Sequence, residues 1–353
     1  MNETRRLLDD TVTRLFAESL DAERLAAAER GVWFEALWNA VESTGLLRAH
    51  LDETAGGAGA SWHEAFVIAR ACGRHAVPLP VVETMLAGYL AARAGFEVPP
   101  GPLGVAVVAA DDAGAKASRL LHRVPWGRRV SHVVAAMPVA AGLHLALVPA
   151  AGAEVSRGHN VAREPRDTLA LPANDVRWRA TPLPADAVSL YGALLRSAQM
   201  AGALETILEL SVGYANDRVQ FGRPIGQFQA IQQELARLAG LVAAAGTAAE
   251  CAARAASEAR ASAIGEVGAT GDPAFEIACA KVVVGEAAEH GPRIAHQVHG
   301  AIGFTYEHRL HFFTRRLWAW RAEFGTPETW AERLGAVALA AGGPRLWPLV
   351  TAR

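Results

Sequence analysis

Residues Asn216 to Leu238 read NDRVQFGRPIGQFQAIQQELARL. An arginine, a glutamine and a Phe-Gly pair stand in a row ahead of a helix-forming run opened by further glutamines. A guanidinium is a rigid forked donor matched to phosphate oxygens, so Arg218 is suited to a phosphate group. Gln220, Gln227, Gln229 and Gln232 can hydrogen-bond a nucleotide. The same residues admit a plainer role, with Arg218 capping the negative end of the preceding helix and the glutamines facing water. A second stretch, HQVHGAIGF from His296 to Phe304, ends a helix in glutamine and glycine. Gly300 either leaves a gap that a flat or phosphate-bearing group can enter, or caps the helix in a left-handed conformation.

Other chemistries find less support. His299, His308 and His311 lie near Glu307, and His308 and His311 share a helix face, yet no third ligand has suitable spacing, so no metal is expected. The run AGGAGAS follows no apolar strand and lacks Rossmann spacing. Ser61, Ser189 and Ser197 have no G-x-S-x-G context. Cys72, Cys251 and Cys279 form no CxxC pair, which fits reduced thiols, and Cys72 and Cys279 fall on apolar helix faces. The net charge of −2, with no basic stripe, argues against nucleic-acid binding. Segments such as LGAVALAAGG are too short or interrupted to span a bilayer, and MNETRRLLDD lacks the apolar core of a signal peptide, so a cytoplasmic protein without membrane contact is expected.

Three zones must position these groups within 353 residues that are 51% hydrophobic. Residues 1–103 read as a helical N-terminal domain. In RRLLDDTVTRLFAESL, Leu7, Leu8, Val12, Leu15 and Phe16 recur at helical spacing, and Gly45 ends a second periodic run. Residues 104–185 change to short, partly β-branched runs such as HVVAAMPVA and LHLALVPA, which predict a small antiparallel sheet or barrel. Residues 186–353 return to long amphipathic runs and predict an antiparallel helix bundle. One of these helices is opened by Asp272 as cap and Pro273 at its first position, and another by Thr326, Pro327 and Glu328.

In this order the two polar corners resemble the acyl-CoA dehydrogenase family. AGGAGASWHEAFVIARACGRHAVPLP resembles its N-terminal Gly-Gly-x-Gly loop and following helix, and DRVQFGRPIGQFQAIQQELA its Arg-x-x-Phe-Gly…Gln signature. AKVVVGEAA and QVHGAIGFTYEH are similar to its later helix and its Gln-x-x-Gly-Gly-x-Gly turn. The resemblance implies a mainly α fold with a small middle β-domain, FAD as cofactor and an acyl-CoA thioester as substrate. It implies that Arg218 binds the FAD pyrophosphate, that Gln220 and Phe221 lie along the ADP part, and that Gln229 sits near the adenosine. Gln297, Gly300 and Ala301 contact the ADP half, with Ala301 where the family prefers a second glycine, and Thr326 also falls at a cofactor-binding position. In the family these residues reach the cofactor of a neighbouring subunit, so a homo- or hetero-oligomer is implied.

The departures concern catalysis. The family's base is a carboxylate that removes the α-proton of the thioester, one residue ahead of a Gly-Thr pair. Here Gly325 and Thr326 occupy that pair, the base position is Phe324, and Glu323 stands one residue earlier, a helical rotation of about 100° away. The alternative base position, on the first bundle helix, is Gly192. The middle zone also lacks the family's flavin-facing loop and its Trp-Ile-Thr strand. The chain thus resembles the non-catalytic subunit of heteromeric members, notably those acting on steroid-derived acyl-CoA. Three readings follow: a partner subunit that grips FAD without its own base, an active dehydrogenase using Glu323 or another base, and a helical scaffold without flavin.

Overall fold

The computed structural model describes residues 3–108, 120–171, 176–259 and 272–351. It opens with α1 (Glu3–Ser19), α2 (Ala22–Glu29), α3 (Glu35–Ser43), α4 (Trp62–Arg74) and α5 (Val81–Arg93). On α1, Val12 and Phe16 are fully buried one turn apart, whereas Leu7 is largely exposed. The helix lies at the surface and presents only a narrow i, i+4 stripe to the core, and Leu7 sits a helical step off that stripe. Gly45 takes a left-handed conformation after α3, with φ of 74°. Ser61 caps α4 in a reciprocal box with Glu64, which commits the Ser61 hydroxyl to structure.

Among the described residues seven strands follow: β1 (Leu103–Val107), β2 (Leu120–Pro125), β3 (His132–Val139), β4 (Gly142–Pro149), β5 (Glu154–Ser156), β6 (Arg166–Ala170) and β7 (Arg179–Thr181). They form two facing sheets, ordered β1-β3-β4-β7 and β2-β6-β5. The arrangement is not the purely antiparallel one expected, because β1 pairs parallel to β3. Between those two strands the chain visits the other sheet as β2, so it re-enters the first sheet at the end where β1 began, opposite the end from which it left. Alternation along β3 divides the cores. Val133 and Ala135 pack between the sheets, while Val134 and Ala136 join the helical core.

The bundle contains α6 (Ala187–Asp217), a hairpin of β8 (Val219–Gln220) and β9 (Arg223–Pro224), α7 (Gln229–Glu258), α8 (Ala274–His299), α9 (Leu310–Arg321), α10 (Pro327–Ala341) and α11 (Gly343–Thr351). The 31-residue α6 is its centre and touches α4 backbone to backbone. A Cβ at Gly73 would lie 1.7 Å from the carbonyl oxygen of Gln199, and one at Gly202 1.9 Å from that of Arg70. Helix α8 begins one residue later than expected. Asp272 accepts a hydrogen bond from the Ala274 amide at 3.0 Å and Pro273 precedes the first turn. Thr326 caps α10, with Pro327 at its first position.

Candidate cofactor corner and collapsed base site

Helix α6 ends where the Arg218 amide donates to the Tyr214 carbonyl at 2.9 Å. The loop of the β8–β9 hairpin has two residues, Phe221 and Gly222, with φ of 53° and 77°. This is the left-handed pair that a two-residue hairpin loop demands. A phenylalanine there costs about 1 kcal/mol relative to glycine, and its ring is 92% exposed. Gln220 Nε2 donates to the Val219 carbonyl and Gln232 Nε2 to the Gly226 carbonyl, each at 3.0 Å, so the corner is internally pinned. Gln229 is exposed at the start of α7. The Arg218 guanidinium is exposed, and among the described residues it has no hydrogen-bond or ion-pair partner.

The second corner closes α8. Gly300 has φ of 61° and ψ of −141°, and a Cβ there would meet nothing within 4 Å. The glycine is therefore needed for its conformation and leaves open space above the backbone. Ala301 is exposed beside it. Gln297 lines an open groove of about 730 Å³ between α7 and α8, together with Glu234, Arg237, His290 and Arg293. The two corners share one end of the bundle, because Tyr214, one turn before Arg218, stacks on His299, next to Gly300, with centroids 4.7 Å apart. Thr326 lies elsewhere. The adjoining Pro327 packs on Gly285, fourteen residues before His299 on α8 and so about 21 Å along its axis.

The histidines near this end serve packing. His299 Nδ1 bonds the Ala295 carbonyl at 2.7 Å, His311 Nδ1 the His308 carbonyl at 2.8 Å, and burial lowers the pKa of all three rings. Among the described residues no group of three metal-ligating side chains is assembled.

At the position where the resemblance puts a base, Phe324 adopts φ of 57° and Gly325 φ of 94°. Trp330 Nε1 donates to the Phe324 carbonyl at 3.0 Å, which fixes this left-handed turn. The Phe324 ring lies against Gly192, where a Cβ would fall 2.2 Å from the ring. The two positions at which the resemblance puts a base thus meet, and an aromatic ring fills the space between them. Alongside, Trp62 stacks on Tyr191 at 4.8 Å and Tyr89 packs on Tyr191 at 4.7 Å, filling the interior between α4, α5 and α6.

Glu323 points into a buried ionic network. Its Oε1 accepts from Arg166 Nε at 2.8 Å and its Oε2 lies 2.8 Å from Arg196 Nη2. Arg196 also binds Glu83 at 2.7 Å, and Arg166 pairs with Glu164 at 3.2 Å. Glu164 further accepts from Trp320 Nε1 and Asn160 Nδ2, each at 2.9 Å, and lies 3.3 Å from Arg316. Burial by itself raises the Glu323 pKa, but Arg166 and Arg196 together hold it below the usual carboxylate range. A carboxylate so stabilised in its ionised form is a weak base. Below it, Lys281 Nζ donates to the Trp320 and Arg321 carbonyls at 3.3 and 2.9 Å, capping α9. Burial, reinforced by Arg196, pushes the Lys281 pKa down to about 7. None of Glu83, Glu164, Arg166 or Arg196 stands out by motif. Their signal is compositional, since Arg196 and Lys281 interrupt otherwise apolar helix runs.

Residues 190–339 match the family profile described as Acyl-CoA dehydrogenase, C-terminal domain, and residues 2–97 the one described as Acyl-CoA dehydrogenase, N-terminal domain. The chain belongs to the acyl-CoA dehydrogenase family. This acyl-CoA dehydrogenase family chain is 28% identical over 323 residues to acyl-CoA dehydrogenase IpdE2 of Mycobacterium tuberculosis, covering 89% of this chain and 91% of that protein. Among solved structures it is similar to the ChsE4-ChsE5 complex from Mycobacterium tuberculosis, with a TM-score of 0.79 at 21% identity over 97% of this chain and 99% of that one. A glutaryl-coenzyme A dehydrogenase in complex with glutaryl-CoA gives a TM-score of 0.81 at 18% identity, over 97% of this chain and 96% of that one. The fold is therefore that of the FAD-dependent acyl-CoA dehydrogenases, a family of oxidoreductases.

Proposed function

We propose that this acyl-CoA dehydrogenase family member is the subunit of a hetero-oligomer that grips FAD without supplying the catalytic base. The observation that carries this reading is the packing of the Phe324 ring on Gly192, which fills both candidate base positions with an apolar contact. Glu323, held by Arg166 and Arg196, acts as a structural anion. The corner suits the ADP half of FAD: Arg218 offers an unengaged guanidinium to the pyrophosphate, and Gly300 leaves room for close approach of the backbone. Gln220, Phe221, Gln229, Gln297 and Ala301 would border it from the same end of the bundle, while Thr326 would serve a flavin near Phe324. When bound, FAD supplies the acceptor for the substrate's β-hydride. A partner of the same family would contribute the base and the thioester pocket. The names of similar assemblies, a steroid acyl-CoA dehydrogenase pair and the ChsE4-ChsE5 complex, favour a hetero-oligomer acting on a bulky, steroid-like acyl-CoA.

The test is to purify the chain alone and with a base-bearing family partner, then measure flavin content and acyl-CoA-dependent bleaching. Turnover is expected only for the pair. Stoichiometric flavin with robust turnover by the isolated chain would refute the assignment.

A further inference from the structure

We propose that the cleft between the α2–α3 loop and the loops preceding β3 and β6 is a second nucleotide site, built for an adenosine carrying two phosphates. The cleft has a volume of about 370 Å³ and lies between Ala28–Trp33, Trp126–Arg129 and His159–Pro165. It shares no residue with the corner on α6–α8, so it stands or falls independently of the FAD reading.

Its charge is one-sided. Arg30, Arg129 and Arg163 are all exposed on its lining, and among the described residues none of the three is engaged by a carboxylate. The other charged groups there are paired, except that Glu29 Oε1 is buried without a hydrogen-bond partner. Arg128 is bound to Asp167 at 2.6 Å and to the Gly158 carbonyl at 3.0 Å, and Glu29 is held by Arg315 at 3.0 Å. Three exposed guanidiniums lining one cleft without a carboxylate partner suit a multiply charged anion, for which the forked donor is the preferred protein partner.

The cleft also has an aromatic wall. Trp126 is buried and Trp33 half-buried, with centroids 6.2 Å apart in an edge arrangement, and the Arg129 guanidinium lies 5.6 Å from the Trp33 ring. A planar base can pack on this surface while its phosphates reach the arginines. Two lining residues hold left-handed backbone that bulky side chains avoid, Trp126 at φ of 57° and Arg163 at 61°. The Arg163 loop is pinned around Asn160, whose Oδ1 accepts from the Ala162 and Glu164 amides at 3.0 and 3.1 Å. The strain is thus sustained by a fixed loop that sets Arg163 and His159 on the cleft.

The experiment titrates the full chain with adenosine 3′,5′-bisphosphate, ADP and pyrophosphate, read by calorimetry and tryptophan fluorescence. The two nucleotides separate a coenzyme-A-type end from an FAD-type or free diphosphate. Saturable binding with tryptophan quenching is expected, weaker at high salt. Arg129→Ala and Arg163→Gly should each weaken it about tenfold or more. Trp33→Leu should weaken the nucleotides and not pyrophosphate. Absence of saturation at millimolar nucleotide would overturn the proposal. So would binding that is lost in Arg218→Ala and kept in Arg129→Ala, or pyrophosphate binding as tightly as the nucleotides.

Discussion

Replacing Glu323 with Gln separates an anchor from a base. The side chain keeps its size and an acceptor oxygen but loses the charge that faces Arg166 at 2.6 Å and Arg196 at 2.8 Å. Removing one partner from a buried pair costs about 3–5 kcal/mol. Both guanidiniums retain a second carboxylate, Glu164 for Arg166 and Glu83 for Arg196. The loss should therefore fall at the lower end, about 3 kcal/mol. Chemical denaturation of wild type and variant measures it. The sign with pH follows from the depressed pKa. The stabilisation is complete above the unfolded value near 4.5 and is lost as pH falls through the lower folded value, so the two proteins converge in stability at acid pH. In a reconstituted hetero-oligomer at a temperature where both are folded, activity should change little. An unchanged denaturation midpoint together with a hundredfold or greater loss of turnover would identify Glu323 as the base and refute the reasoning.

Lys281 should show a pH dependence of the same sign in a higher window. Its folded pKa of about 7 lies below the ordinary 10.5, so the unfolded chain binds the extra proton and stability rises between those values, by up to about 1.4 kcal/mol per pH unit. Lys281→Met should flatten that limb in a pH series of denaturation curves. Gly192→Ala forces a methyl against the Phe324 ring and should destabilise by about 1–3 kcal/mol. Combined with Phe324→Ala it should cost less than the sum of the single changes, and additivity in that double-mutant cycle would mean the contact is absent. Arg218→Ala should weaken flavin retention in the hetero-oligomer by about 1–3 kcal/mol, read as the FAD-to-protein ratio after dilution.

The sequence by itself determined the helical and strand zones and the corner. Hydrophobic period, Gly45, and the Thr326-Pro327 start act within one helical turn, and the Phe-Gly pair fixes its hairpin through local dihedral preference. The resemblance read from the sequence puts Phe324 and Gly192 at the family's base positions. Tertiary structure alone decided that these two meet, since they are separated by most of the bundle and their contact depends on how α6 receives the turn after α9. The same holds for the ionic network, whose members come from α5, the β6 region, α6 and α9 and carry no shared spacing. The parallel pairing of β1 with β3 was likewise set by the crossover through β2, because a strand's apolar pattern specifies which face is buried and not the direction of its neighbour.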